Sequence, residues 1–74
     1  MTTTKAVWGR NIRNRREALG LTQKQLGEAV DVRQATVCQW ETGTNAPRDE
    51  HRIALAQVLK EDYFSLFPVI VVAA

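Results

Sequence analysis

The sequence has few of the residues that build covalent, metal-centred or catalytic sites. Cys38 is its single cysteine and His51 its single histidine. One cysteine cannot form an intramolecular disulfide, and one of each residue cannot complete a closed zinc site. No nucleophile with a base and an orienting group can be assembled, and there is no glycine-rich phosphate loop. We therefore expect no enzymatic activity, no metal and no cofactor, in a reducing compartment.

Long apolar runs are also missing. The first ten residues lack the continuous apolar stretch of a signal peptide. The apolar run from Val69 to Ala73 is too short to cross a bilayer. We therefore expect a cytoplasmic protein with no membrane partner.

Neither the length nor the net charge is large. A chain of 74 residues is one domain, near the size at which a core alone gives little net stability, so a partner subunit is an expected supplement. The net charge of +2 is unevenly distributed, with eight basic and four acidic residues up to Arg48 and the reverse excess beyond it. The basic two thirds of the chain favours a polyanionic partner.

Apolar spacing and capping signals predict an all-helical chain. Thr22 and Gln25 have the spacing of a capping box, and Ile53, Ala56 and Leu59 form the predicted apolar stripe of the fourth helix. His51 is expected on the outer, solvated face of that helix. The predicted helices cover about 5–19, 23–30, 33–42, 48–59 and 63–67.

The second and third predicted helices are short and are separated by a tight turn on the basic side of the chain. This arrangement favours a helix-turn-helix, the motif that places its second helix in the major groove of DNA. Small helical bundles also contain such pairs, so the pattern alone leaves both interpretations open.

The segment GLTQKQLGEAVDVRQATVCQWETG, preceded by IRNRR and followed by a proline and IALAQVL, resembles the Cro/repressor-type (XRE-like) helix-turn-helix family of phage and bacterial regulators. The resemblance covers about residues 9–67. It implies an all-α, five-helix, lambda-repressor-like domain whose third helix reads the major groove of a palindromic operator as part of a homodimer.

The resemblance also implies roles for individual residues. Base reading falls on Gln34, Ala35 and Gln39, since a glutamine amide suits adenine and an alanine methyl packs on a thymine methyl. We also predict contacts to the DNA backbone at Thr22, Gln23, Lys24, Arg33, Thr36, Thr42, Thr44 and Arg48, with a structural role as the alternative for Thr36. Arg16 and Glu41 match a structural salt bridge between the first helix and the end of the third, with two independent solvated charges as the alternative.

Several positions depart from the family pattern, among them Thr44 and Asn45, which stand where basic residues are frequent. Arg33 and Arg48 stand where the family commonly has a capping residue, and each lost cap costs ~1 kcal/mol. We interpret both arginines as facing the DNA backbone; the alternative is that backbone groups or water satisfy these helix starts. Asp31 replaces a turn glycine and Gly27 replaces an alanine, which suggests a less rigid motif.

The end of the chain, FPVIVVAA, is apolar where a terminus is usually polar. We divide the chain into a DNA-binding domain, 1–67, and an extended tail, 68–74. An isolated strand leaves its backbone groups unpaired. We therefore predict that Val69, Ile70, Val71 and Val72 form a short β-strand that pairs with a second copy and makes a homodimer. The alternative is that the tail folds back on its own core.

The predicted function is a sequence-specific, double-stranded DNA-binding transcriptional regulator of a bacterial or phage-infected cell, associated with the nucleoid. Two alternatives use the same fold. One is the antitoxin of a toxin–antitoxin pair, whose tail would bind the toxin, and the other is an architectural factor for recombination. The tail is short for a dedicated toxin-binding domain, which favours the regulator.

Overall fold

The computed structural model describes residues 3–69, and that part of the chain contains five α-helices. They are α1 (Thr4–Ala18), α2 (Gln23–Ala29), α3 (Gln34–Thr42), α4 (Asp49–Val58) and α5 (Tyr63–Leu66). The predicted all-α, five-helix fold is confirmed. Ile70, Val71 and Val72, three of the four residues predicted to pair in a dimer, lie outside the described residues.

Local capping defines three of the helix starts. Thr22 and Gln25 form the predicted capping box, with hydrogen bonds of 3.0 Å to the threonine hydroxyl and 2.9 Å to the glutamine oxygen. The hydroxyl of Thr3 accepts one N–H group of α1 at 3.1 Å, and the carboxylate of Asp62 accepts two N–H groups of α5. These bonds satisfy donors that every helix start leaves unpaired.

The core lies where all five helices meet. α3 packs against both α1 and α2, and α5 packs against α1 and α4. The buried apolar residues come from the helices and from the positions that follow them: Ile12, Leu26, Val30, Val37, Trp40, Leu55, Leu59, Leu66 and Phe67. Because α3 is held by two neighbours on one side, its other side is left on the surface.

The buried stripe of α4 differs from the predicted one. Leu55 is fully buried, whereas Ile53 is 53% exposed. Leu55 and Leu59 are four residues apart and therefore share one face of the helix, which the core covers. Ile53 lies on a different face, so its predicted burial was wrong.

Two glycines allow backbones to approach closely. A Cβ atom on Gly27 would lie 2.7 Å from the carbonyl oxygen of Val32. The N–H of Val32 in turn donates to the carbonyl oxygen of Gly27 at 2.8 Å. The turn between α2 and α3 also holds Asp31 in the left-handed region, at φ 60°. A Cβ on Gly9 would lie 2.2 Å from the carbonyl oxygen of Trp40. Glycine is thus required both in α2, where the following turn closes over Gly27, and where α1 meets α3.

The last described residues are held against α1. The indole N–H of Trp8 donates to the carbonyl of Pro68 at 3.0 Å, and its ring meets Phe67 edge-on, with centroids 5.4 Å apart. Val69, the next residue, is 76% exposed and belongs to neither a helix nor a strand. The chain is therefore anchored up to Pro68.

Within residues 3–69, no helix is both long enough and apolar enough to cross a membrane.

Candidate nucleic-acid interface

α3 carries its predicted base-reading residues on the side that the core does not cover. Gln34, Ala35 and Gln39 are exposed, whereas Val37 and Trp40 are buried. With about 3.6 residues per turn, positions 34, 35 and 39 fall on one side of the helix and positions 37 and 40 on the other. The structure thus brings the three residues together on one surface.

A carboxylate at the end of α3 ties that helix to α1 and α2. Glu41 accepts hydrogen bonds from Arg16, at 2.7 Å from Nε and 3.0 Å from Nη2, and from the side-chain nitrogen of Gln23 at 3.1 Å. Arg16 also donates to the carbonyl of Leu21 at 2.8 Å. One N–H of the Gln23 amide, predicted to face a phosphate, is therefore used within the protein. We call Arg16, Gln23 and Glu41 the Glu41 network.

The ion pair within the Glu41 network is nearly closed to solvent. The side chain of Glu41 is 3% exposed and that of Arg16 is 12% exposed. The hydrogen bond with Glu41 raises the pKa of Arg16 above its ordinary value, although partial burial opposes the change. Arginine is charged throughout the accessible pH range even without this effect. Arg16 therefore stays charged throughout this pH range, and its ion pair with Glu41 orients α3.

The residues predicted to contact the DNA backbone surround α3. They lie at the starts of α2, α3 and α4 and at the end of α3 with the loop that follows: Thr22, Gln23 and Lys24; Arg33 and Thr36; Arg48; Thr42 and Thr44. All are exposed except Gln23 and Thr36, which are half-buried. Helix starts present N–H groups and a positive dipole end, both of which suit phosphate groups.

Arg33 and Arg48 occupy the N-cap positions of α3 and α4. Both have extended backbone angles, at φ −76° and ψ 155° for Arg33 and at φ −72° and ψ 165° for Arg48. Within the described chain, neither side chain makes a cap hydrogen bond. Their guanidinium groups therefore do not contribute to these helix starts in the way that a serine hydroxyl would.

The loop after α3 folds back over the last exposed turn of that helix. Gly43 ends α3 in the left-handed region, at φ 77°. The N–H groups of Thr44 and Asn45 then donate to the carbonyl of Gln39 at 3.0 and 3.3 Å. The side-chain nitrogen of Asn45 donates to Oε1 of Gln39 at 2.9 Å. Asn45 thus belongs to the candidate interface, and its contact with Gln39 was not predicted; the polar loop directly after the glycine was the available signal.

A groove of about 480 Å³ separates α3 from the start of α4. Gln39 and Asn45 border it on one side and Arg48 and His51 on the other. The imidazole of His51 is half-buried, with its ring centroid 5.3 Å from that of Trp40. The prediction that His51 lies on the outer face of α4 was therefore wrong, because its ring lies against Trp40 of α3 at the edge of this groove.

Within residues 3–69, no three histidine, cysteine, aspartate or glutamate side chains come together as they would around a metal ion. Cys38 is exposed on α3, close to the base-reading positions in the sequence.

These features define a helix-turn-helix domain, and comparison with known proteins identifies its family. The helix-turn-helix family HTH_3 matches residues 12–64. The chain belongs to this family, and the predicted resemblance to Cro/repressor-type regulators is confirmed.

A curated relative is the HTH-type transcriptional regulator DicA of Escherichia coli. It is 37% identical over 60 residues, which are 81% of this chain and 44% of DicA. The chain therefore spans less than half the length of that relative.

Two solved structures share the fold. The P22 c2 repressor, crystallised in complex with a synthetic operator, superposes with a TM-score of 0.80 at 32% identity, covering 84% of this chain and 94% of the repressor chain. The clp gene regulator ClgR of C. glutamicum superposes with a TM-score of 0.82 at 20% identity, covering 89% and 86% of the two chains. The second likeness shows the fold alone.

Proposed function

We propose that this protein is a transcriptional regulator that binds double-stranded DNA in a sequence-specific manner, with α3 in the major groove. The observation that carries the proposal is the exposed surface formed by Gln34, Ala35 and Gln39. Their types suit base edges, since amides match adenine and a methyl group matches thymine. The operator in the P22 c2 repressor complex supports this assignment.

Rigid support for α3 strengthens the proposal. A recognition helix reads bases only if its orientation is fixed relative to the groove. The Glu41 network holds the C-terminal end of α3, while Val37 and Trp40 pack its inner side into the core. The exposed residues are therefore presented on a firmly held scaffold.

Phosphate contacts come from the positions that surround α3. Exposed Lys24, Arg33 and Arg48 supply positive charge, and Thr22, Gln23, Thr36, Thr42 and Thr44 supply neutral hydrogen-bonding groups. Such contacts fix the register of a protein on DNA and make its affinity fall with salt. In this role the protein binds without catalysis or a cofactor, and it acts on the nucleoid in the cytoplasm.

The protein acts as a homodimer on a palindromic operator whose half-sites lie one helical turn, about 34 Å, apart. The tail from Pro68 onward joins the two copies, through antiparallel pairing of Val69, Ile70, Val71 and Val72 about a two-fold axis. Two features support this assignment. Pro68 is anchored to Trp8, and Val69 leaves that anchor as an exposed apolar residue.

This function is tested by using the full chain to select the sequences it binds from a library of random-sequence DNA duplexes. We expect enrichment of a palindromic sequence. Gln34→Ala should lose base preference at one position in each half-site, at a cost of about 1–3 kcal/mol. Gln57→Ala is the matched control, because Gln57 is exposed near the end of α4 and belongs to none of the predicted contacts. Failure of the wild-type chain to enrich any sequence would contradict the proposal.

A further inference from the structure

Gln39 is held by the loop that follows its own helix. The backbone carbonyl of Gln39 accepts the N–H groups of Thr44 and Asn45, at 3.0 and 3.3 Å. The side-chain oxygen of Gln39 accepts the amide of Asn45 at 2.9 Å. The left-handed Gly43 turns the chain back so that these contacts form. The Asn45 side chain is therefore held over Gln39 by the backbone as well as by its own hydrogen bond.

This contact makes the exposed end of Gln39 a donor. A glutamine amide has one oxygen that accepts and one NH₂ group that donates. Because Asn45 takes one of the two lone pairs of this oxygen, the oxygen is the weaker acceptor toward a base edge, whereas both N–H groups of the Gln39 amide stay available to donate. A bidentate contact to adenine needs both groups, one accepting from N6 and one donating to N7.

We propose that Asn45 is a specificity-determining residue that sets which bases Gln39 reads. The proposal rests on the DNA-binding function proposed above. With its oxygen engaged by Asn45, Gln39 favours bases whose hydrogen-bonding groups in the major groove are all acceptors, which are guanine through O6 and N7 and thymine through O4. This preference differs from the adenine contact that the residue type alone predicts for Gln39. Asn45 acts through Gln39 and is a positioning residue.

The substitution Asn45→Asp reverses the polarity of the contact. A carboxylate only accepts hydrogen bonds, so it must receive the NH₂ group of Gln39 and turn the glutamine oxygen toward the DNA. An oxygen selects bases that offer donors, which are cytosine through N4 and adenine through N6. Loss of local structure would weaken discrimination, but it would not exchange one preference for the opposite one.

In the test, each protein selects the sequences it binds from a pool of random-sequence DNA duplexes. The proteins are the full-length wild-type chain and three variants, Gln39→Ala, Asn45→Asp and Asn45→Ala. Gln39→Ala locates the position that Gln39 reads. We expect the wild type to prefer guanine or thymine there by about tenfold. Asn45→Asp should prefer cytosine or adenine at that position, and Asn45→Ala should admit adenine because both groups of the Gln39 amide are released. Preferences at the other positions should not change.

Thr44→Asp controls for the added negative charge. It places a carboxylate next to residue 45 but leaves the amide pair intact, so it should lower affinity for all sequences without changing the preferred base. An unchanged preference in Asn45→Asp, or a Gln39→Ala variant with no altered position, would overturn the inference while leaving the proposed function standing. A wild-type chain that enriches nothing would overturn both.

Discussion

The guanidinium group of Arg16 meets the carboxylate of Glu41 through two hydrogen bonds, of 2.7 and 3.0 Å, although the residues are 25 positions apart in the sequence. The contact joins the last turn of α1 to the end of α3. It is placed there by Gly9, which lets the backbone of α1 reach the carbonyl groups of Trp40 and Glu41. The orientation of the proposed recognition helix therefore depends on the ion pair of Arg16 with Glu41 and on a glycine at position 9.

Removal of the ion pair should be costly. Arg16→Ala leaves the 3% exposed carboxylate of Glu41 with Gln23 as its remaining side-chain donor, and we expect a loss of about 2–3 kcal/mol in the free energy of unfolding. Urea denaturation measures this loss. The control is Arg13→Ala, since Arg13 pairs with Glu17 on the surface at 3.2 Å and should lose about 0.3–0.5 kcal/mol. Equal losses in the two variants would contradict a structural role for the Glu41 network.

Gly9→Ala should destabilise the domain although alanine is the better helix former by about 1 kcal/mol. The new Cβ would lie 2.2 Å from one backbone oxygen of α3 and 2.8 Å from the next. Backbone atoms cannot move aside cheaply, so we expect a loss of about 3 kcal/mol in thermal or urea unfolding.

Gly20→Ala is the comparison for that variant. Gly20 has φ +72°, but nothing lies within 4 Å of the position that its new methyl group would take, so only backbone strain of about 1–2 kcal/mol applies. A neutral or stabilising Gly9→Ala would show that α1 and α3 do not approach as closely as the structure places them.

Arg33→Ser and Arg48→Ser should change stability and DNA binding in opposite directions. Serine at either extended N-cap position adds a cap and should stabilise the domain by about 1 kcal/mol. Each lost phosphate contact should reduce the slope of log affinity against log salt by about 1 and lower the affinity. Binding to the selected duplex over a range of salt concentrations measures both the slope and the affinity, and urea denaturation measures the stability.

Lys60→Asn is the charge-matched control for these arginine variants. Lys60 lies past the end of α4, at the opposite end of that helix from Arg48, and asparagine tolerates its left-handed backbone at φ 53°. Its salt slope should stay at the wild-type value. If all three variants keep that slope, the two arginines do not contact phosphates.

A chain that ends at Val69 should lose the homodimer. This end point retains the carbonyl of Pro68 that accepts the indole N–H of Trp8, so the domain keeps its anchor. We expect a monomer by light scattering and operator binding weaker by about 100-fold, because two linked half-site contacts become one. A chain that ends at Val72 keeps the predicted pairing segment and should remain a dimer. If the chain that ends at Val69 matches the full chain in both assays, the tail does not join two copies.

Local sequence signals determined the helices of this protein. Caps and apolar spacing act within a few residues, which is why the capping box of Thr22 and Gln25 could be recognised from the sequence alone. The alternation of Val37 and Trp40 with polar residues likewise indicates which side of α3 faces the core. The fold class and the exposed side of α3 therefore follow from interactions that are short in sequence.

Tertiary packing decided which of several regularly spaced side chains on a helix face the core. Both Ile53 and Leu55 fit a helical period, and only the position of the core against α4 buries Leu55. His51 turns toward Trp40 for the same reason, since the start of α4 approaches α3. The need for glycine at position 9 depends on backbone carbonyls more than 30 residues away. No local propensity encodes such contacts, because they exist only when distant helices meet.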